Sequence, residues 1–451
     1  MSNFLYLFFV FSIITNAQTF GPQQIISTDG DGPQSVFVAD LDGDLFADVM
    51  SANKFGSNLT WYKNLGDGTF GSQQLIADLN QPKFIFAADL DGDIDMDILA
   101  TGLFIDELVW YKNLDGLGAF GSKIIITNEL DGPYAVIAND IDGDGDMDVI
   151  CGSESSGLAW FENLDSNGNF SAKKTINASL PNARSVMAID MDGDNDLDVV
   201  SSSSGSVTVS WYENLDGQGS FGTQKVIVGS ASTVQAIYVA DLDGDLDNDV
   251  VAATNAENKV AWFENLDGLG NFGDENIITL ETDTPISLFI ADIDKDTHLD
   301  VLSASAVDGK IAWHKNLDGQ GNFGPQQIII NTLLGANCVF VNEIDNDGDM
   351  DVISSSQNDD TIAWYENLTI LSTDTFLIPG LKVYPNPAKE VLIIESPVAL
   401  QKVIIFSLLG KKLLEVTERF NEVSIATLPS GLLLVEIQTE KGKVIEKIMK
   451  E

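Results

Sequence analysis

The chain has 451 residues, 44% of them hydrophobic, and a formal net charge of −46; that length accommodates one large or two ordinary domains. The charge is uneven: residues 1–380 carry 13 basic and 60 acidic side chains, whereas residues 381–451 carry 10 and 9. A first region this acidic, whose single arginine is Arg184, repels phosphate backbones and excludes nucleic-acid binding.

Met1 to Ala17 reads as a secretory signal peptide. Phe4 to Ile14 is an apolar run interrupted only by Ser12, and Thr15-Asn16-Ala17 supplies small residues for cleavage before Gln18. The run is too short to span a bilayer, so no transmembrane segment is expected in the mature chain. No Lys or Arg precedes it, and no Cys near the cleavage point suggests a lipid anchor. Cys151 and Cys338 fall at different places within the repeat described next, which predicts two separate buried thiols and no bridge.

From residue 20 the chain is periodic. An aspartate-rich nonapeptide, first Asp40-Leu-Asp42-Gly-Asp44-Leu-Phe-Ala-Asp48, recurs from Asp89, Asp140, Asp190, Asp241, Asp292 and Glu343, at intervals of 49, 51, 50, 51, 51 and 51 residues. A fixed period of this size marks an array of one supersecondary unit. Each unit opens on an apolar run such as Ser35–Ala39, predicted as a strand, followed by the acidic loop and a second strand such as Asp48–Ser51. A third strand carries Trp-aromatic-x-Asn-Leu, and its seven copies hold all seven tryptophans: Trp61, Trp110, Trp160, Trp211, Trp262, Trp313 and Trp364. A Gly-containing turn leads to a fourth strand opening on Phe, as in Phe70–Ile76.

Four strands in about 50 residues make one small sheet that cannot bury both faces alone. The fold expected is all-β: a seven-bladed β-propeller over residues 18–368, with the tryptophans packing between blades. The seventh unit stops at Leu368 without a Phe-Gly strand, and Phe20-Gly-Pro-Gln-Gln-Ile-Ile26 repeats Phe323–Ile329 of the sixth unit. The N-terminal strand is therefore expected to close the last blade and remove an exposed edge.

Oxygen ligands at alternate positions are what a hard divalent cation needs, as in the EF-hand loop. The candidate ligands are the carboxylates at loop positions 1, 3, 5 and 9. They are Asp40, Asp42, Asp44 and Asp48 in the first loop, and Asp89, Asp91, Asp93 and Asp97 in the second. Asp140, Asp142, Asp144 and Asp148 follow, then Asp190, Asp192, Asp194 and Asp198. The last three sets are Asp241, Asp243, Asp245 and Asp249; Asp292, Asp294, Asp296 and Asp300; and Glu343, Asp345, Asp347 and Asp351. Position 7 varies, as expected of a main-chain carbonyl ligand. Two like charges about 4 Å apart repel by ~4 kcal/mol at an effective dielectric of 20, so an empty loop is strained and a divalent ion relieves it. The near absence of thiol and imidazole from the loops favours Ca²⁺, up to seven ions, over zinc or copper. A plain acidic turn is the competing reading for any one copy. Glycine at position 4 or 6 permits the curl except in the sixth loop, where Lys295 and Thr297 stand.

These residues resemble the FG-GAP/VCBS repeats of integrin-α-like propellers over about residues 20–368. The resemblance implies a calcium-binding D-x-D-x-D-x-x-x-D loop between the first two strands of each blade, on one face of the disc. After residues 369–380, read as a linker, the chain changes character. Tyr384-Pro-Asn-Pro387, Leu409-Gly-Lys411, Pro429-Ser-Gly431 before an apolar run and a Lys-rich end resemble the type A sorting domain of the type IX secretion system of Bacteroidota. That resemblance covers residues 381–451. It implies a small Ig-like β-sandwich, recognition by the type IX machinery, passage across the outer membrane, and release or surface attachment.

The function expected is a secreted or outer-surface binding and adhesion module stabilised by calcium, with an extracellular glycan or protein as ligand. Loops opposite the acidic ones vary most between units, and Phe55 and Phe104 are candidate contacts there. The alternative is a polysaccharide lyase or hydrolase on a propeller scaffold. No catalytic set can be assembled from the sequence: His298 sits in a metal loop and His314 in a Trp strand, both with structural readings.

Overall fold

Each repeat folds into a four-stranded antiparallel meander, because its apolar runs are short, β-branched or aromatic, and separated by Gly/Asp turns. In the computed structural model the described residues are 20–229, 233–368, 381–407, 412–417, 420, 422–429, 431–439 and 442–450. The expected signal peptide, the expected linker at 369–380 and Leu409-Gly-Lys411 lie outside them. The described secondary structure is all strand, and among these residues no helix is long and apolar enough to cross a membrane. Two units are separable, residues 1–369 and 370–451.

In the first unit the strands are Pro33–Ala39, Asp48–Asn53, Asn58–Tyr62 and Gln74–Asp78, hydrogen-bonded in that order. Five more sheets repeat this order, and a seventh is assembled from both ends of the unit. There Ala336–Asn342, Asp351–Ser356 and Thr361–Tyr365 are completed by Gln24–Ser27, with Gln24 opposite Trp364. The N-terminal segment thus takes the place predicted for it. One expectation is corrected: the fourth strand does not run on from its Phe. Phe70 makes an isolated bridge to Asn64 and the strand resumes at Gln74. In the fifth unit alone the strand is unbroken from Phe272, although it carries the same register shift, at Val260 and Ala261, that the first unit has at Leu59 and Thr60.

The apolar cores lie between sheets, not within them. Met50, Leu59 and Trp61 of the first sheet pack with Ile85, Ile98 and Tyr111 of the second. Trp364, Ile353 and Ile344 of the seventh pack with Val36, Val49 and Tyr62 of the first. Every tryptophan is between 1% and 5% exposed, so the stripe is packing surface and not a ligand platform. The inner strands touch one another in sequence, and the first of them also touches the last, Ala336–Asn342. Repeated sheets packed this way are consistent with a propeller. Cys151 and Cys338 are unbridged.

The second unit has a sheet of Lys382–Tyr384, Val391–Glu395 and Glu422–Ser424, and another of Lys412–Val416, Leu400–Ser407, Gly431–Thr439 and Gly442–Lys450. One core joins them, built on Leu392, Val403, Ile405, Val423, Val435 and Ile437. The Tyr-Pro-Asn-Pro motif earns its place there: the Asn386 side-chain oxygen accepts the Met449 amide at 2.8 Å.

Candidate metal centres and a polar cavity

The acidic loop leaves the end of each inner strand, and its first side chain acts as a template for the curl. Asp40 accepts the amides of Gly43 at 2.8 Å, Asp44 at 3.2 Å and Leu45 at 2.8 Å. The fifth carboxylate then accepts the amide two residues on, as Asp44 does from Phe46 at 3.0 Å. Such local carboxylate–amide bonds favour turns over strand. The glycine rule read from the sequence needs correcting. Positions 4 and 6 both take positive φ in all seven loops, including Lys295 (59°) and Thr297 (74°) in the sixth. Leu45, Ile94 and Leu246 do so as well, so the loop's own hydrogen bonds, and not glycine alone, impose the left-handed backbone.

The ninth-position aspartate opens the second strand of each sheet and is fully buried in every unit: Asp48, Asp97, Asp148, Asp198, Asp249, Asp300 and Asp351 are all 0% exposed. It has a second task that the sequence did not announce. One Asp48 oxygen accepts the Leu41 amide at 3.0 Å and the other the Asn64 amide at 2.8 Å, which staples the loop to two strands. The asparagine of the Trp motif completes this latch. Asn113 donates its side-chain NH₂ to the Leu41 carbonyl of the preceding unit at 2.9 Å. The same bond recurs from Asn163 to Leu90, Asn214 to Ile141, Asn265 to Met191, Asn316 to Leu242 and Asn367 to Ile293. It also runs from Asn64 in the first unit to Ile344 in the seventh at 2.8 Å. The sequence showed this asparagine in every unit, and comparing units by function instead of strand would have marked it.

In each of five loops three of the four predicted carboxylates are brought together; the fifth-position aspartate is outside the group except in the fourth loop, where Asp198 is outside instead. Carboxylate oxygens of Asp40, Asp42 and Asp48 lie within 4.8 Å of one another, as do those of Asp89, Asp91 and Asp97, Asp140, Asp142 and Asp148, and Asp241, Asp243 and Asp249. In the fourth loop the grouped residues are Asp190, Asp192 and Asp194. The third position is the informative one. Oδ1 of Asp42, Asp91, Asp142, Asp192, Asp243, Asp294 and Asp345 is in each case buried without a hydrogen-bond partner. A buried carboxylate oxygen with no partner is costly, and these oxygens mark the loops as candidate sites for an oxygen-seeking cation.

Electrostatics agree with this crowding. Burial, assisted by the charges of Asp42 and Asp44, pushes Asp48 up to about 7 against the pull of its two amide bonds. Burial likewise raises Asp97, Asp148, Asp198, Asp249 and Asp300 to about 7 and Asp351 to about 8. Asp243 rises to about 6 through burial and then the charges of Asp245 and Glu264. His298 rests against Asp296 at 3.4 Å. His314 is fully buried, with burial lowering it to about 4, and its Nε2 lies 3.2 Å from the Ser303 hydroxyl.

A cavity of about 400 Å³ lies among the inner strands. Its middle is a belt of rings: Phe37 packs on Phe86 at 4.6 Å and on Phe340 at 5.1 Å, and Phe289 on Phe340 at 4.8 Å. At the starts of the inner strands, away from the acidic loops, stand Gln34, Lys83, Tyr134 and Arg184, which also line an adjoining cavity of about 170 Å³ with Lys54 and Phe104. Lys83 and Arg184 both lie over the Tyr134 ring, at 4.7 and 4.2 Å from its centre. Burial raises the Tyr134 phenol, but those two cations outweigh it and leave the group below its ordinary value. Arg184 also meets Glu154 at 3.3 Å; Lys83 donates to Gln34 at 3.0 Å, and the buried Gln34 Nε2 has no partner. Of the two aromatics singled out by sequence, Phe104 is 62% exposed beside this cavity, while Phe55 is 56% exposed and stacked by Lys54. Sequence reading missed Gln34, Lys83 and Tyr134 as a group and took Arg184 as a lone charge. All four occupy the second position of successive inner strands, a signal visible once the units are aligned.

The family model for the FG-GAP-like repeat matches residues 40–100, 140–201, 190–252, 241–303 and 292–354, and that for a secretion system C-terminal sorting domain matches residues 382–451. No curated protein matches the chain. Among solved structures, the chain is similar to an Agrocybe aegerita lectin with specific recognition of non-reducing terminal N-acetylglucosamine, at 19% identity and a TM-score of 0.50, over 67% of this chain and 81% of that one. It is similar to BBS1N in complex with ARL6DN at 11% identity and a TM-score of 0.55, over 78% and 97%. The extracellular domain of the two-component protein BT3049 from B. thetaiotaomicron matches at 13% identity and a TM-score of 0.50, over 96% of this chain but 57% of that one. At these identities the likeness is one of fold.

Proposed function

Since the chain belongs to the FG-GAP-like repeat family and ends in a type IX sorting domain, we propose that it is an exported, calcium-stabilised binding module. It is a closed seven-bladed propeller, delivered to the outer surface or medium by the type IX machinery acting on a C-terminal β-sandwich. Closure is supported by the cycle of asparagine bonds, which returns from the first unit to the seventh. Calcium is supported by the partnerless third-position oxygens; positions 1, 3, 5 and 9 would hold the ion, which neutralises the crowded carboxylates.

The observation that carries ligand binding is the cavity mouth of Gln34, Lys83, Tyr134 and Arg184. A chain of net charge −46 gathers a lysine and the first region's one arginine over a single aromatic ring, beside an unpartnered amide donor. Aromatic walls stack the apolar face of a sugar, and paired cations select an acid group, so the ligand class favoured is a glycan bearing carboxylate or sulfate. A glycan array probed with the purified chain tests this. Acidic glycans are expected to bind, with Lys83→Ala and Arg184→Ala each weakening binding by about tenfold or more. Binding that ignores both substitutions overturns the site.

A second reading has one observation in its favour. A tyrosine held below its ordinary value between two cations is a group able to take a proton next to a neutralised carboxylate, the chemistry of an eliminating polysaccharide lyase. Appearance of unsaturated products from acidic polysaccharides, abolished by Tyr134→Phe, would decide for it.

A further inference from the structure

The residue two places after each tryptophan faces the acidic loop of its own sheet, and its seven copies divide by charge. It is Lys63, Lys112 and Lys315 in the first, second and sixth units, and Glu162, Glu213, Glu264 and Glu366 in the third, fourth, fifth and seventh. Each lysine bridges the third and fifth carboxylates of its loop. Lys63 meets Asp42 and, at 2.9 Å, Asp44. Lys112 meets Asp91 and, at 3.0 Å, Asp93. Lys315 meets Asp294 and, at 2.9 Å, Asp296. The glutamates instead repel the third carboxylates Asp142, Asp192, Asp243 and Asp345. Position 7 leans the same way: the glutamate units all carry aspartate there (Asp146, Asp196, Asp247, Asp349), whereas two lysine units carry Phe46 and His298.

We propose, on the reading that these loops are calcium sites, that they form two classes: the four glutamate loops take up Ca²⁺, and the three lysine loops are closed by their own ammonium group. To load a lysine loop, an ion must displace a cation already held by two of its carboxylates and then sit beside it. To load a glutamate loop, it meets up to six carboxylates that nothing else neutralises as well. The four are themselves graded. Glu162 and Glu213 are tied to Lys174 at 2.5 Å and Lys225 at 2.6 Å, whereas Glu264 and Glu366 have no ion pair among the described residues. Lys295 of the sixth loop donates to the Gly348 carbonyl in the seventh, which leaves the fifth loop the strongest site.

The test is calcium stoichiometry of the full chain. Chelator-stripped protein is equilibrated with free Ca²⁺ stepped from about 10⁻⁶ to 10⁻³ M, and bound metal is counted by mass spectrometry and titration calorimetry. Four equivalents are expected to bind about tenfold or more tightly than any others. Glu264→Lys is expected to leave three and Lys63→Glu to give five, with Lys112→Glu as a second exchange and circular dichroism confirming that each variant is folded. Seven equivalents of one affinity would overturn the division while leaving the calcium reading intact. None at all would sink that reading too. Four equivalents unmoved by the charge exchanges would show that these side chains do not set the classes.

Discussion

Asn214 shows how much of the architecture rests on one side chain per unit. Its backbone amide is accepted by Asp198 at 2.8 Å, and its NH₂ donates to the carbonyls of Ile141 in the preceding unit at 2.9 Å and Leu197 in its own at 3.3 Å. Its side-chain oxygen takes the Gly219 amide at 3.0 Å, which fixes the following turn. That turn must come close: the equivalent Gly68, at φ +75°, would put a Cβ 2.7 Å from the Trp364 indole. Replacing Asn214 by alanine leaves two carbonyls unsatisfied in a site that is 0% exposed, each costing about 1–3 kcal/mol. Asn214→Ala is therefore expected to lower unfolding free energy by roughly 2–4 kcal/mol, read from urea denaturation at constant calcium. A loss below about 0.5 kcal/mol, the range of ordinary surface changes, would mean that water replaces the latch.

At the scale of the loop, the carboxylates couple folding to pH. The ninth-position aspartates rise from 3.8 to about 7, and Asp351 to about 8, so across that window the folded chain holds protons that the unfolded chain has released. Stability from these groups is full below pH 4, drains away as pH rises from 4 to 7, and is gone above the folded values. Asp44, Asp93 and Asp296 are shifted below 3.8, so their opposite contribution falls at lower pH; His314, lowered from 6.5 to about 4, opposes the loss inside the window, but as one group against seven. Metal-free protein should thus lose urea resistance from about pH 4.5 to about pH 8 and level off above that, whereas calcium-loaded protein should hold it. A flat metal-free profile would mean that the buried aspartates are already ionised in the fold. The loop's alternate carboxylates were legible in sequence because they lie within nine consecutive residues, and so was the period that repeats them. The latch and the cavity mouth were not. An asparagine bonding to the neighbouring unit, or Gln34, Lys83, Tyr134 and Arg184 meeting from four strands, depends on which sheets are adjacent. Spacing within one unit carries no trace of that, and the lysine–glutamate division was hidden for the same reason until a strand brought the residue against the loop.

The molecule as a whole must solve a problem that no single sheet poses, which is where the two ends of a repeat array go. The N-terminal segment reproduces the missing outer strand bond for bond. Phe20 bridges Asn367 as Phe323 bridges Asn316, and Gly21 donates to the Glu366 carbonyl at 2.7 Å as Gly324 does to Lys315 at 2.8 Å. Phe20 also sets its ring edge-on to Trp313, 6.1 Å away, and is 5% exposed. Removing residues 20–27 would bare the edge of Thr361–Tyr365, a template for pairing with another chain, and would strip a ring from the core between the sixth and seventh sheets. The truncated chain is expected to melt at lower temperature and to associate with rising concentration, as read by light scattering. Position in sequence should not matter, only supply of the strand. Inserting a copy of Asp318–Ile330 after Leu368 in the truncated chain should therefore restore both melting temperature and monodispersity, because the turn and strand then continue the seventh unit as they do the sixth. A truncated chain that stays monomeric and melts unchanged would show that the seam carries no stability; failure of the graft alone would show that the N-terminal route into the sheet, and not the strand itself, completes the ring.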